Sequence, residues 1–368
     1  MDTFKNFCNK YKLQLIFTGI AVVLIIAIIA IMVSVSNNDR IVEEETTTVE
    51  ETTTVEETTA EEETGEAKSI LTGEDVSAKV AERRPVAVMI NNISDALPQS
   101  GIGNAGVIYE APVEGGITRL MAIFDDYKGL EKIGSIRSCR IYYCYFALEW
   151  DAIYCHYGQS KYAKDFLNSD AIDNVSSYNA GNYYFQTRDR YAPHNTFIDA
   201  EGINGAIEKL EYRRKYEDGY TGRFTFADKD TPEELANGTA AKTVEIAYSH
   251  NHPYFQYDQE SGTYLRFQHD DKHIDDQTGD QLSCKNIIIQ YVDSTLYPDG
   301  KSLDITLTGS GKGYYITNGK AVDINWSKDE KLGVTKYTDA TTGEDITLNV
   351  GKSFICIVQN GTDVTISE

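Results

Sequence analysis

The chain has 368 residues, 41% of them hydrophobic and 25% charged, with a formal charge of −23. That length suits about two domains, and so acidic a chain lacks the basic footprint a nucleic-acid partner requires. The six cysteines (Cys8, Cys139, Cys144, Cys155, Cys284 and Cys356) show no C-x-x-C spacing, so they read as small buried apolar residues, with one incidental bridge left open, and not as a zinc site or disulfide framework.

Residues 13–35, LQLIFTGIAVVLIIAIIAIMVSV, carry no charge. As a helix they span roughly 34 Å, enough to cross the hydrocarbon core. Lys5, Lys10 and Lys12 precede them and Asp39 follows. The positive-inside rule then puts the N-terminus in the cytoplasm and the rest outside, a single-pass arrangement with residues 1–36 as tip and anchor. A cleaved signal peptide is the alternative, but its apolar core is shorter and VSVS is a poor cleavage site. Residues 37–68 hold 12 acids and 2 bases, and VEETTT repeats within them. Such a segment has too little apolar surface to fold, and its like charges extend it. Residues 37–80 are therefore expected to form a disordered stalk reaching on the order of 150 Å.

From Arg84 the pattern changes. PVAVMINN (85–92), GVIYEAPV (106–113) and ITRLMAIFDD (117–126) read as strands, with Gly115 and Gly116 as a two-residue hairpin turn. IYYCYFALEWD (141–151) suits a helix with Ser138 as its N-cap, AIYCHYG (152–158) a buried strand, and residues 161–168 and 199–216 helices. After residue 235 short strands alternate with Gly-rich turns, which suggests an antiparallel sandwich or barrel. The fold class is α+β: a mixed α/β domain over 81–235, then a β-rich antiparallel domain over 236–368.

Three polar groups stand out. In YEAPVEGGITRLMAIF (109–124) a two-residue turn sets Arg119 opposite Pro112, diagonally between Glu110 and Glu114 on one face. A glycosidase-like carboxylate pair is conceivable there. Arg119 between the two would keep both ionised, however, whereas a general acid needs a raised pKa. Structural or ligand-orienting ion pairing is the expectation. In IGSIRSCR (133–140) Arg137 and Arg140 bracket Ser138 at a helix start, which suits a carboxylate or phosphate, or else pairing with Glu110 or Glu114. Cys139 sits between these arginines with no base beside it. His156 closes an apolar strand, where ligand loops often follow, although a satisfied buried histidine is the commoner outcome. RDRYAPHN (188–195) places His194 and Asn195 in an exposed polar loop, and turn polarity accounts for HDDKHIDD (269–276). No metal site and no cofactor are expected, and no P-loop, GxSxG, HExxH or EF-hand motif occurs.

RPVAVMINN, PQSGIGNAGVIYEAPVEGGITR, KIGSIRSCR, LEWDAIYCHYG and APHN together resemble the YerB-like family of bacterial surface proteins, and HIDDQTGDQLSCKNIIIQ, GSGKGYYITNGK and LNVGKSFICIV resemble its second domain. The resemblance implies an N-terminal YerB-like domain followed by a β-rich C-terminal one. It brings no established reaction, so no catalytic role is carried over. Many members look like lipoproteins with a cysteine after the signal. Here none follows the apolar segment until Cys139, so a transmembrane anchor takes the place of the lipid. The family pattern often has Ala where this chain has Cys139. The leading expectation is a membrane-anchored extracytoplasmic protein that binds a cell-envelope ligand, with the cell wall or a protein as partner. The rivals are an envelope hydrolase or transferase using Glu110, Glu114, His156 and His194, and an interaction scaffold.

Overall fold

The computed structural model describes residues 67–368. The apolar segment 13–35 and the acidic repeats lie outside the described residues. Among the described residues no helix is long and apolar enough to cross a membrane. Residues 67–80, expected as part of the stalk, are folded. Ala67–Lys68 pairs with Asp75–Val76, Ser69 Oγ accepts from the backbone N–H groups of Leu71 and Thr72, and Leu71 is buried. One serine hydroxyl closing a tight turn, plus one buried leucine, orders a stretch whose composition reads as stalk.

Thirteen strands and two helices carry the architecture: β1 (Val86–Asn91), β2 (Val107–Pro112), β3 (Thr118–Phe124), α1 (Ile141–Leu148), β4 (Ile153–His156), β5 (Asn174–Ser176), α2 (Ala200–Lys209), β6 (Thr243–Ile246), β7 (Tyr254–Asp258), β8 (Thr263–Gln268), β9 (Asn286–Val292), β10 (Gly309–Thr317), β11 (Lys320–Lys328), β12 (Ser353–Gln359) and β13 (Val364–Ser367). The protein is mostly β with few helices. One large sheet runs β11-β10-β9-β12-β2-β3-β1-β4-β5, and a smaller one contains β8-β7-β6-β13.

The antiparallel expectation for the C-terminal half holds only in part. β12 lies parallel to β9 on one side and parallel to β2 on the other, so strands from both halves of the chain form a single sheet. Residues of β2 and nearly all of β12 are buried. Strands covered on both faces carry continuous apolar runs such as FICIV, which is the signature of parallel sheet interiors. The aromatic side chains of α1 (Tyr142, Tyr143 and Phe146) cover one face of the sheet, against Met89, Tyr109, Ala111 and Met121. The other face packs on α2 and the smaller sheet, through Ile203, Val244, Phe255 and Tyr264 against Val88, Ile108 and Leu120. Helix α2 ends at Lys209, short of residue 216, and Asp199 caps it by accepting from Gly202 N at 2.6 Å.

Candidate functional site

The β2–β3 hairpin decides which polar groups meet. Val113 N donates to Ile117 O at 2.8 Å, and Glu114–Gly116 form the turn between them. The loop therefore has three residues, and Gly115 and Gly116 take positive φ. Arg119 pairs with Ala111, and Glu110 with Leu120. Because a one-residue change of register moves every side chain to the opposite face, Glu110 and Arg119 point away from each other. The expected Glu110–Arg119–Glu114 face is corrected accordingly.

Glu110 faces the smaller sheet and is 0% exposed. It accepts from Asn92 Nδ2 at 3.1 Å, Thr118 Oγ1 at 2.7 Å, Asn251 Nδ2 at 2.7 Å and Arg266 Nη2 at 2.5 Å. Arg266 itself sits against the rings of Phe255 and Phe354, 5.4 and 5.1 Å from their centroids. With its oxygens taken up by four donors, this carboxylate is a structural hub between the halves of the chain.

Arg119 faces α1. It is 5% exposed and lies opposite Asn91 at the carboxyl end of β1. Its Nη1 donates to Ser138 O, while its buried Nε has no partner among the described residues. Residues 135–139 run along the ends of β1 and β4. Asn91 N donates to Ser135 O at 2.9 Å, Arg137 N to Met89 O at 3.0 Å, and Cys139 N to Gly158 O at 2.9 Å. This places Arg137 and Arg140 beside Arg119. Arg140 clamps Glu114, with Nε 2.7 Å from each carboxylate oxygen and Nη2 2.5 Å from Oε2. Among the described residues, the Arg137 guanidinium is held only by Pro193 O, at 3.4 Å. His194 closes the group, its Nδ1 2.8 Å from Asn91 Nδ2.

Three guanidinium groups thus share one carboxylate, and the titration behaviour records the imbalance. Burial, then the charges of Arg140 and Arg137, pull the Arg119 guanidinium down to about 10. Burial and Arg140 lower Arg137, and burial and Arg137 lower His194. Burial pushes the Glu114 carboxyl up, but its bonds to Arg140 outweigh this and its pKa falls below the ordinary value. Against burial, Glu114 raises Arg140, and Asp95 works against the lowering of His194, but Arg119 and Arg137 remain without a paired carboxylate among the described residues, and such a site favours a bound anion.

The chain matches two families described as the N-terminal domain of a protein of unknown function (DUF3048), over residues 71–213, and the corresponding C-terminal domain, over residues 244–355. It is 30% identical to the "Putative lipoprotein YerB" of Bacillus subtilis over 82% of this chain and 89% of that one. The chain belongs to the DUF3048 family. The crystal structure of the Bacillus subtilis YerB protein superposes with a TM-score of 0.73 at 30% identity, covering 82% of this chain and 100% of that one. The YerB-like resemblance read from the motifs is therefore confirmed, and the family's function is uncharacterised.

In this DUF3048 chain the remaining predicted residues fall around or behind the arginine cluster. His156 is fully buried. Its Nδ1 meets Gly158 O at 2.8 Å and its Nε2 meets Asn174 Oδ1 at 3.2 Å, and burial lowers its pKa. Ser138 does not cap α1. Arg140 occupies that position without a side-chain bond, and Ser138 contributes its carbonyl to Arg119 instead. Asn195 is pinned to Thr187 O at 3.1 Å. Cys139 is buried with Sγ 3.3 Å from Cys144 Sγ, and the five described cysteines are free thiols. In HDDKHIDD, His273 Nε2 meets Gln99 Oε1 at 2.6 Å, and Asp275 accepts from Gly101 N at 3.1 Å and Gly103 N at 2.6 Å. Among the described residues no group of three or more His, Cys, Asp or Glu is placed to hold a metal. Sequence reasoning overlooked Asn91, the pivot of the site, although two asparagines closing the apolar strand PVAVMINN were its signal. It also overlooked Arg266, which sits in YLRFQ at an inward-facing position.

Proposed function

We propose that this protein is an extracytoplasmic binding module whose arginine cluster takes a carboxylate or phosphate group of a cell-envelope ligand. One observation carries the reading: the buried Arg119 has a donor to spare, in a group of three arginines matched by a single carboxylate. Arginine forks recognise such anions through paired, directed bonds. The cluster lies at the carboxyl ends of the parallel strands β1 and β4, where α/β sheets most often place ligands. The hydrolase reading finds less support, because Glu110 is sealed on the far face and Glu114 is engaged by Arg140. The lipoprotein designation of the Bacillus subtilis relative supports a place at the membrane surface, with residues 13–35 as the anchor in this chain.

The test uses the full chain in detergent with purified wall fragments bearing carboxylates or phosphates. Retention without new product masses is expected, as is a rise in the His194 pKa on binding, followed by NMR, because a bound anion offsets the charge of Arg137. Arg137→Gln, at a half-buried position, should weaken retention severalfold, and Arg119→Gln more strongly. New product masses would instead point to turnover. Equal retention by both variants and the parent would sink the proposal.

A further inference from the structure

At the opposite end of β1, roughly 20 Å from the arginine cluster, a cavity of about 630 Å³ opens between the helical turn Ala78–Ala81, the Tyr127–Lys128 loop and the segment after α2. Its walls carry six basic side chains and one acidic one, in a chain whose net charge is −23. Half of that positive charge is neutralised locally. Arg84 pairs with Asp173, Arg83 with Asp126 at 3.1 Å, and Lys215 with Glu82 at 2.5 Å. Lys79, Lys128 and Arg214 have no carboxylate partner among the described residues, and Arg214 donates only to Asn204, at 3.3 and 3.2 Å. The three come from three separate chain segments around one opening.

We infer that this cavity is a second ligand site, for a phosphate-bearing anion. Its volume lies in the range of small-molecule sites. A phosphate monoester carries about two negative charges at neutral pH and offers several acceptor oxygens. Three cations approaching from different sides match it better than they match a planar, singly charged carboxylate. Lysine ammonium groups act as point charges with no planar requirement, which suits phosphate oxygens, and Arg214 adds a fork. Ile153 and Ile207 line the same cavity and offer apolar contact to a carbon skeleton attached to the phosphate. The site stands independently of the arginine cluster.

The experiment is a calorimetric titration of the full chain in detergent, at low salt, with inorganic phosphate, glycerol 3-phosphate and a glycerol phosphodiester, and with acetate at matched ionic strength. Saturable binding of a phosphate species that depends on the cavity's three cations is expected, whereas any acetate response, which the arginine cluster can give, should not depend on them. Saturation by inorganic phosphate and the monoester, or by the diester, identifies which source the site accepts, and either upholds the inference. The variant Lys79→Ala/Lys128→Ala/Arg214→Gln should bind about tenfold more weakly or worse, whereas Lys301→Ala, at an exposed position outside both the cavity and the arginine cluster, should leave this binding unchanged. Lys79→Ala/Lys128→Ala, at two exposed positions, gives the same reading should the Arg214 change disturb the fold. Equal phosphate binding by parent and variant, an acetate response lost in the variant as fully as the phosphate response, or no saturation by any phosphate species overturns the inference.

Discussion

Arg266 enters the interior on the face of β8 that also carries Tyr264 and Gln268, and it is fully buried. Its charge is tolerated there because Glu110 meets it at 2.5 Å. Removing one partner of such a pair leaves an uncompensated buried charge. Arg266→Met is expected to cost about 3–5 kcal/mol, read from urea unfolding, and Arg266→Met/Glu110→Gln should recover part of that loss. Equal losses in the single and double variants would show that the pairing is not the cause. The histidines give a second expectation. Burial lowers His156; burial and Arg137 lower His194; burial, Arg266 and His269 lower His273 strongly. An unfolded imidazole titrates near about 6.5, so between the folded and unfolded values the unfolded chain binds more protons. Stability contributed by the neutral histidines is present above that pH and is lost as the pH falls below it. The urea midpoint should drop between pH 7.5 and 5.5, and His273→Gln should shrink the drop. A midpoint that rises on acidification would contradict this. At this scale the sequence showed which residues were chemically unusual but not their partners. Glu110 meets Arg266 only because chain segments far apart in sequence fold against each other, and no local spacing encodes that.

The β2–β3 hairpin shows how a single element redirects a site. Its strands were legible from apolar content and its turn from two adjacent glycines, but the choice between a two- and a three-residue loop was not, because Glu114 fits either. That one residue settles which face receives Arg119. Gly115 holds φ +74° with open space where a side chain would go, so Gly115→Ala should cost only the left-handed backbone penalty, about 1 kcal/mol. Gly116 holds φ +77°, and a Cβ there would lie 3.2 Å from Ser249 Cβ, so Gly116→Ala should cost more. Thermal melts of the two variants check the order, and a larger loss for Gly115→Ala would refute it. Helix α1 was legible in position but not in its cap: Ser138 is drawn into the carbonyl bond with Arg119, and Arg140 takes the cap position instead.

Among the described residues, two buried ionic junctions tie the early part of the chain to the late part. One is Glu110 with Arg266. The other is Glu149, which meets Arg223 Nε at 2.8 Å, Lys328 Nζ at 2.5 Å and Thr335 Oγ1 at 2.8 Å. Between them runs the parallel pairing of β2 with β12. A fragment of residues 67–235 would therefore expose the apolar edge of β2, strip Arg266 and Asn251 from Glu110, and strip Lys328 and Thr335 from Glu149. It is expected to be aggregation-prone, with poorly dispersed amide spectra, whereas the fragment 67–368 should be monodisperse. A well-dispersed, soluble 67–235 fragment would contradict this. The change in strand pattern near residue 235 was readable from composition. The shared sheet was not, because a strand's neighbours are set by topology, and the apolar run of β12 suits a central position in either of two sheets.

The place of β12 also has a consequence in time. A chain made from its N-terminus has β1 to β5 available long before the strand that must lie beside β2 has left the ribosome. Contacts so distant in sequence close slowly, because the loop entropy is spent before the pairing returns it. If the folded part is exported, the early strands cross the membrane and wait there with an open edge. Maturation then depends on how well that edge is shielded until β12 arrives, and the pairing of β12 with β2 should be the slow step of refolding.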